Sequence, residues 1–285
     1  MRILSSALAA LALAASLPAG EDETLRSVPL YNAKVTDSEG VALDLVGVHL
    51  LSGRDRFNGT LGASSIEVPF ERLRRIEVRE PAAPGGSMRA ALTLLSGSVV
   101  EAGFDERQAE EILAGYGAFG RAYLPFRALR ALQFEGRTAR RDLPDFGPDS
   151  AGVDGRLRDA EGTILEVAGL RRAGGTNVLR GLRGDFVLEV PLRRIRRLEL
   201  APRRAEGATR VGGTVTLVGG ETIAFDLPAY EERTVFRAEA EFGSLRIALA
   251  DLRLLEVHRP TPPVRDLDCV KAAGSADDRE DRTAR

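Results

Sequence analysis

The sequence predicts an all-β chain made by a duplication of a duplication, in the order A-B-A′-B′, from units of about 50 residues. Three observations carry this. The chain matches itself at a fixed offset, its apolar residues alternate with period two, and glycine turns punctuate it at regular spacing. At an offset of 122 residues, 35–78 lies on 157–200 without a gap, and 15 of the 44 positions are identical. They include Asp37/Asp159, Glu39/Glu161, Gly40/Gly162, Glu67-Val68-Pro69 on Glu189-Val190-Pro191, and Arg74-Arg75 on Arg196-Arg197. An offset of 123 aligns Thr93-Leu94 with Thr216-Leu217, Phe119-Gly120 with Phe242-Gly243, and Leu129-Arg130 with Leu252-Arg253. Units A and B are related too: Leu50-Leu51-Ser52-Gly53 matches Leu94-Leu95-Ser96-Gly97.

The elements follow in chain order. Asp37-Ser38-Glu39-Gly40 has Asp first and Gly fourth, the preference of a type I turn, and Asp159-Ala160-Glu161-Gly162 repeats it. Each joins two strands of alternating apolar residues, such as Val41, Leu43 and Leu45. Ser52-Gly53, Ser96-Gly97, Gly174-Gly175 and Gly219-Gly220 read as hairpin loops between apolar strands. Gln108–Ala114 looks helical alone. Its partner Thr234–Phe242 alternates Phe236, Ala238, Ala240 and Phe242 against Arg237, Glu239 and Glu241. Leu113–Phe119 is therefore expected to be a strand, preceded by at most one helical turn. Phe70, Phe119, Phe126, Phe236 and Phe242 are expected in the packed interior, and adjacent units are expected to share a hydrophobic seam, since 50 residues bury little core alone.

Each unit closes alike. Ile66-Glu67-Val68-Pro69 is a strand stopped by Pro, which lacks the ladder donor and starts a short 3₁₀ turn. A last strand follows, with Leu73, Ile76 and Val78 inward. Tyr123–Phe134 and Leu188–Leu200 repeat this, and Ser244–Val257 repeats it with Ala248 in place of Pro. This strand–Pro–turn–strand ending resembles the close of small barrels of the Src-homology-three type and the final strands of PRC-barrel domains. The resemblance implies small barrel or half-barrel units and no function: peptide-binding barrels of this type need an aromatic patch, and unit A has only Tyr31 and no Trp.

The N-terminus reads as an address. A basic start at Arg2, an uncharged Ala- and Leu-rich run over Ile3–Leu17 and small residues before Glu21 have the layout of a secretory signal peptide. The expected divisions are a signal peptide over 1–20, a first half over 27–136 (units 27–80 and 84–136), a linker over 137–149, a second half over 150–259 (units 150–202 and 209–259) and a disordered tail over 260–285. The protein is expected to be exported, periplasmic or extracellular, without a membrane span. Cys269 has no second Cys to pair with and is expected to be a free thiol on a monomer.

Composition narrows the chemistry. A formal net charge of −2 leaves no global field for nucleic acid. Of 40 basic residues only Lys34 and Lys271 are lysine, an arginine excess spread evenly enough for codon usage to explain it. Two histidines and one Cys offer little to zinc or nucleophilic sites. His49 alternates with Val48 and Leu50 on a strand, and its repeat partner Arg171 points to a solvated position. His258 borders the Pro-rich tail. The paired carboxylates Asp37/Glu39 and Asp159/Glu161 are the candidates for hydrolysis or calcium, but turn geometry alone accounts for them. Arg74-Arg75 and Arg196-Arg197, with Arg171, Arg172, Arg180, Arg183, Arg193 and Arg194, would make a cationic face for an acidic polymer. The competing reading is a charged strand edge kept soluble, with Glu67, Glu77, Glu189 and Glu199 interleaved. No catalytic, cofactor-binding or metal residue is expected. The expected function is an exported non-enzymatic β-repeat module of the cell envelope, its ligand and envelope partner unknown, the alternative being a secreted carboxylate-dependent hydrolase.

Overall fold

The computed structural model describes residues 28–79, 88–104, 106–145, 152–202 and 210–260. The first half contains β1 (Leu30–Asp37), β2 (Ala42–Leu50), β3 (Arg56–Leu61), β4 (Ser64–Pro69), β5 (Leu73–Arg79), β6 (Met88–Leu94), β7 (Val99–Phe104), a one-turn helix α1 (Glu106–Glu110), β8 (Ile112–Gly117), β9 (Gly120–Pro125) and β10 (Leu129–Thr138). The second half contains β11 (Val153–Asp159), β12 (Ile164–Arg172), β13 (Val178–Arg183), β14 (Phe186–Pro191), β15 (Ile195–Leu200), β16 (Val211–Leu217), β17 (Thr222–Leu227), α2 (Ala229–Glu232), β18 (Val235–Ala240), β19 (Gly243–Ala248) and β20 (Leu252–Pro260). The strands join in one antiparallel sheet of 20. The expected signal peptide, Cys269 and the tail after Pro260 lie outside the described residues, and β10 extends into the expected linker as far as Thr138.

In the first half the ladder runs β4–β3–β7–β6–β5–β10–β1–β2–β8–β9. In the second it runs β14–β13–β17–β16–β15–β20–β11–β12–β18–β19. Within its own half, each strand thus has the neighbours of its counterpart in the other. The ladder crosses between units: β2 of unit A continues into β8 of unit B, and β7 of unit B into β3 of unit A. The closing strands of the two units pair at the centre, with Ile76 opposite Leu132 and Leu198 opposite Leu255. All four side chains are buried. Two units too small to bury a core alone therefore share one.

Local chemistry sets the boundaries. After each of β4, β9, β14 and β19 comes a single 3₁₀ turn, over Phe70–Arg72, Phe126–Ala128, Leu192–Arg194 and Leu249–Asp251. The turn plugs an apolar first residue, Phe70, Phe126, Leu192 or Leu249, into the core. Ala248 takes nearly the same backbone angles as the prolines, so the turn depends on the inward apolar residue as well as the ring. Phe70, Phe119, Phe126 and Phe236 are buried. Phe242 is not: it is 66% exposed, whereas Phe119 at the matching position is 4% exposed. The reason is topological. β9 has β14 on its outer side, and β19 ends the sheet among the described residues.

The described residues join the halves at a strand junction and at a turn. β9 pairs with β14, with Tyr123 opposite Val187, Ala122 opposite Leu188 and Arg121 opposite Glu189. A Cβ on Gly120 would lie 2.0 Å from the Glu189 carbonyl oxygen, so only glycine lets the incoming backbone approach. Nearby, the Asp37 turn docks on the β13–β14 turn, where a Cβ on Gly184 would lie 2.1 Å from Asp37 Oδ2.

Candidate functional site

The turn carboxylates serve backbone first. Asp159 accepts hydrogen bonds from the N–H groups of Glu161 (2.9 Å) and Thr163 (2.8 Å) within its own turn. Desolvation pushes its pKa up, but the hydrogen bonds from Thr163, Glu161 and Gly162 outweigh it and hold the group below the ordinary value. Its twin Asp37 is fully buried and accepts from Val41 N–H (2.7 Å) and from Asp185 N–H (2.8 Å) in the other half. Burial dominates there, the Asp185 charge adds to it, and Asp37 is pushed up. Ser38 Oγ also donates to Asp185, and burial with the Asp185 and Asp37 charges raises Glu39. This carboxylate pair is a joint between the halves. Glu161 is exposed beside Asp159.

His49 is buried, 6% exposed, which corrects the expectation of a solvated position. Its Nδ1 donates to the Gly47 carbonyl at 2.8 Å. Burial lowers its pKa, with the Arg121 charge acting in the same direction against the hydrogen bond. His258 lies on β20, half exposed, 4.0 Å from Glu166. Among the described residues no cluster of three or more His, Cys, Asp or Glu could hold a metal, and no helix is long and apolar enough to cross a membrane.

Several arginines expected to form a cationic face are neutralised. Arg172 pairs with buried Glu231 (3.0 Å), which also accepts from Thr234 Oγ1 (2.9 Å). Arg180 pairs with Glu189 (2.8 Å), and Tyr123 Oη from the first half donates to the same carboxylate (3.2 Å). Burial pushes the neighbouring Tyr230 phenol up to about 12, with the Glu231 charge adding to it. Arg75 pairs with Glu77 (2.6 Å) and Arg197 with Glu199 and Glu256, while Arg74 and Arg196 stay exposed. Arg183, Arg193 and Arg194 are partly buried.

At the matching place in the first half the arrangement is open. A cavity of about 410 Å³ lies beside the free edge β4, lined by Arg54, Arg56, Asn58, Glu67, Arg107, Gln108 and Glu111. Asn58 occupies the position of Arg180, and Gln108 that of Glu231. Asn58 donates to Gln108 Oε1 through its backbone N–H (3.1 Å) and its side chain (3.3 Å). Arg56 pairs with Glu67 (2.8 Å) and Arg54 with Glu111 (3.9 Å). Where β14 has β9 and Tyr123 over this region, β4 has none among the described residues.

The strongest contrast lies on one row of the sheet. In the first half it reads His49, Ala114, Tyr123 across β2, β8 and β9, and continues into Val187 of β14. All four are buried. In the second half the same row reads Arg171, Arg237, Arg246 across β12, β18 and β19, and stops there. All three are exposed. Among the described residues none of the three has a carboxylate partner. Directly opposed like charges on neighbouring strands are unfavourable, and strands about 4.8 Å apart hold the three guanidinium stems within about 10 Å. Glu239, next along the same face from Arg237, is engaged by Ser244 Oγ (3.0 Å). Arg237 and Arg246 were not among the arginines singled out in the sequence. The signal was there in the 123-residue offset, which sets Arg237 on Ala114 and Arg246 on Tyr123.

The edge residues set how closely a second copy could reproduce the same junction. Burying Tyr123, Val187 and Leu188 contributes about 1.5–3 kcal/mol each. A second copy's β4 on β19 would set Ser65 against Arg246 in place of Val187 against Tyr123, while Ile66 and Glu67 would hold the places of Leu188 and Glu189. No known family model matches the chain, and no curated protein matches it.

Proposed function

We propose that this chain is an exported, non-enzymatic β-repeat binding module of the cell envelope, and that its recognition surface is the arginine row Arg171–Arg237–Arg246, taking an acidic ligand. The observation that carries this reading is the row itself: it is buried as His49, Ala114 and Tyr123 in one half, and in its twin it is three exposed arginines without a carboxylate partner among the described residues. A solubilised edge needs one charge, and three aligned arginines cost repulsion that an anionic ligand relieves. The finer fold reading belongs to the same proposal: each half is two Src-homology-like units that have exchanged strands. The sets β10–β1–β2–β8–β9 and β5–β6–β7–β3–β4 each hold the five strands of one such unit, drawn from both. The test is calorimetric titration with polyglutamate at low salt, on wild type and on a variant carrying Arg171→His, Arg237→Ala and Arg246→Tyr, the first-half residues. Salt-sensitive binding lost in the variant is expected. Equal binding by both proteins would move the site elsewhere.

A further inference from the structure

Resting on the reading of an acidic-ligand module, we infer that the ligand is an extended peptide segment that adds to β19 as an antiparallel strand, with acidic and apolar residues in alternation. The molecule contains the template for this. β9 is the counterpart of β19, and it takes β14 as an added strand. Among the described residues β19 has β18 on one side and no strand on the other, which leaves its outward backbone groups open to a ladder. Gly243, the counterpart of Gly120, keeps a positive φ of 116°, and a Cβ built there meets nothing within 4 Å. The space that the Glu189 carbonyl fills against Gly120 is open beside Gly243.

The side-chain pattern of the segment follows from the two faces of β19. On one face, Arg246 lies beside Arg237 and Arg171. Residues of an incoming strand opposite Arg246 and two positions along would face this row, as Val187 and Glu189 face Tyr123. Carboxylates there meet charges that lack partners among the described residues. On the other face Leu245 and Ile247 are half-buried. In the template, Leu188 lies opposite Ala122 at the position of Leu245. An apolar residue between the two acidic ones therefore completes that face. Main-chain bonds supply affinity and alternate side chains supply specificity in this mode of recognition.

The probe is a labelled peptide of alternating valine and glutamate, titrated by fluorescence anisotropy into the full chain. A second peptide of the same sequence carries N-methyl groups on alternate amides, in both phases. Polyglutamate serves as an anion without strand preference. Tight peptide binding is expected, weakened at least tenfold by N-methylation in one phase, and at least tenfold in an Arg237→Ser/Arg246→Ser variant whose melting temperature is unchanged. If the N-methylated peptides bind as well as the parent, strand addition is wrong while the acidic-ligand reading stands. Binding of polyglutamate but not of the valine–glutamate peptide has the same meaning. If no anion binds, both fall. Sedimentation without peptide should give a single monomeric species. Concentration-dependent assembly abolished by Arg246→Ser would assign the β19 edge to a second copy and overturn the proposal.

Discussion

Strands β9 and β19 occupy the same place in two halves with the same ladder, yet among the described residues one is interior and the other ends the sheet. Burial and chemistry differ along with that position. Phe119 is buried and Phe242 is exposed; Tyr123 is buried and Arg246 is exposed; Gly120 touches a carbonyl and Gly243 faces open space. Duplication copies the core, because a one-residue slip would turn every side chain to the wrong face. The surfaces are free to diverge, and this is where the halves differ in chemistry.

The twin phenylalanines should show the largest effect. Phe119→Ala is expected to cost about 3–5 kcal/mol of unfolding free energy, as for a large side chain removed from a core. Phe242→Ala should stay within about 0.5 kcal/mol, as at an ordinary surface site. Urea denaturation of both variants measures the pair, and comparable losses would mean that β19 is covered.

The row swap should be nearly as uneven. His49→Arg puts a charge into a buried site beside Arg121 and should cost about 3 kcal/mol. Arg171→His, the reverse change at the twin, should be close to neutral. His49 also sets a pH dependence. Its pKa is lowered on folding, so the folded state binds fewer protons, and stability falls as pH drops from the ordinary histidine value of about 6.5 toward the lowered one. Melting curves between pH 7 and 5 should show this loss, reduced in His49→Gln.

The smallest effect separates the twin turns. Asp37 should titrate above the ordinary aspartate value and Asp159 below it, in carboxyl-detected NMR. The linked stabilities have opposite signs. Asp37 binds its proton more tightly when folded, so its contribution grows as pH falls through its raised value. Asp159 contributes above its unfolded value and loses that contribution as pH falls through its folded one. Coincident titrations would mean that the Asp37 turn does not dock on Asp185.

The sequence carried the local fold well and the neighbourhoods poorly. Period-two alternation at Phe236, Ala238 and Ala240 outweighed the helical look of Gln108–Ala114, and the helix there is the single turn α1 before β8. The Pro-linked turns were legible because Pro69, Pro125 and Pro191 act through their own ring. His49 and Phe242 were misjudged for one shared reason. His49 was inferred from its repeat partner Arg171 and Phe242 from period-two alternation, and burial depends on which strand lies alongside, which neither encodes. The arginine row was invisible for the same cause: Arg171, Arg237 and Arg246 are far apart in sequence and become neighbours only through the crossing of β12 to β18.

The most direct measurement of the central claim, one repeated ladder with an occupied and an unoccupied twin edge, is native-state hydrogen exchange of the backbone amides of β9 and β19. Strong protection is expected along Gly120–Leu124 where the amides face β8 and over Arg121–Tyr123 where they face β14. In Gly243–Ala248 only the amides facing β18 should be protected, and the others should exchange rapidly. Equal protection of the two strands in the isolated chain would contradict the account.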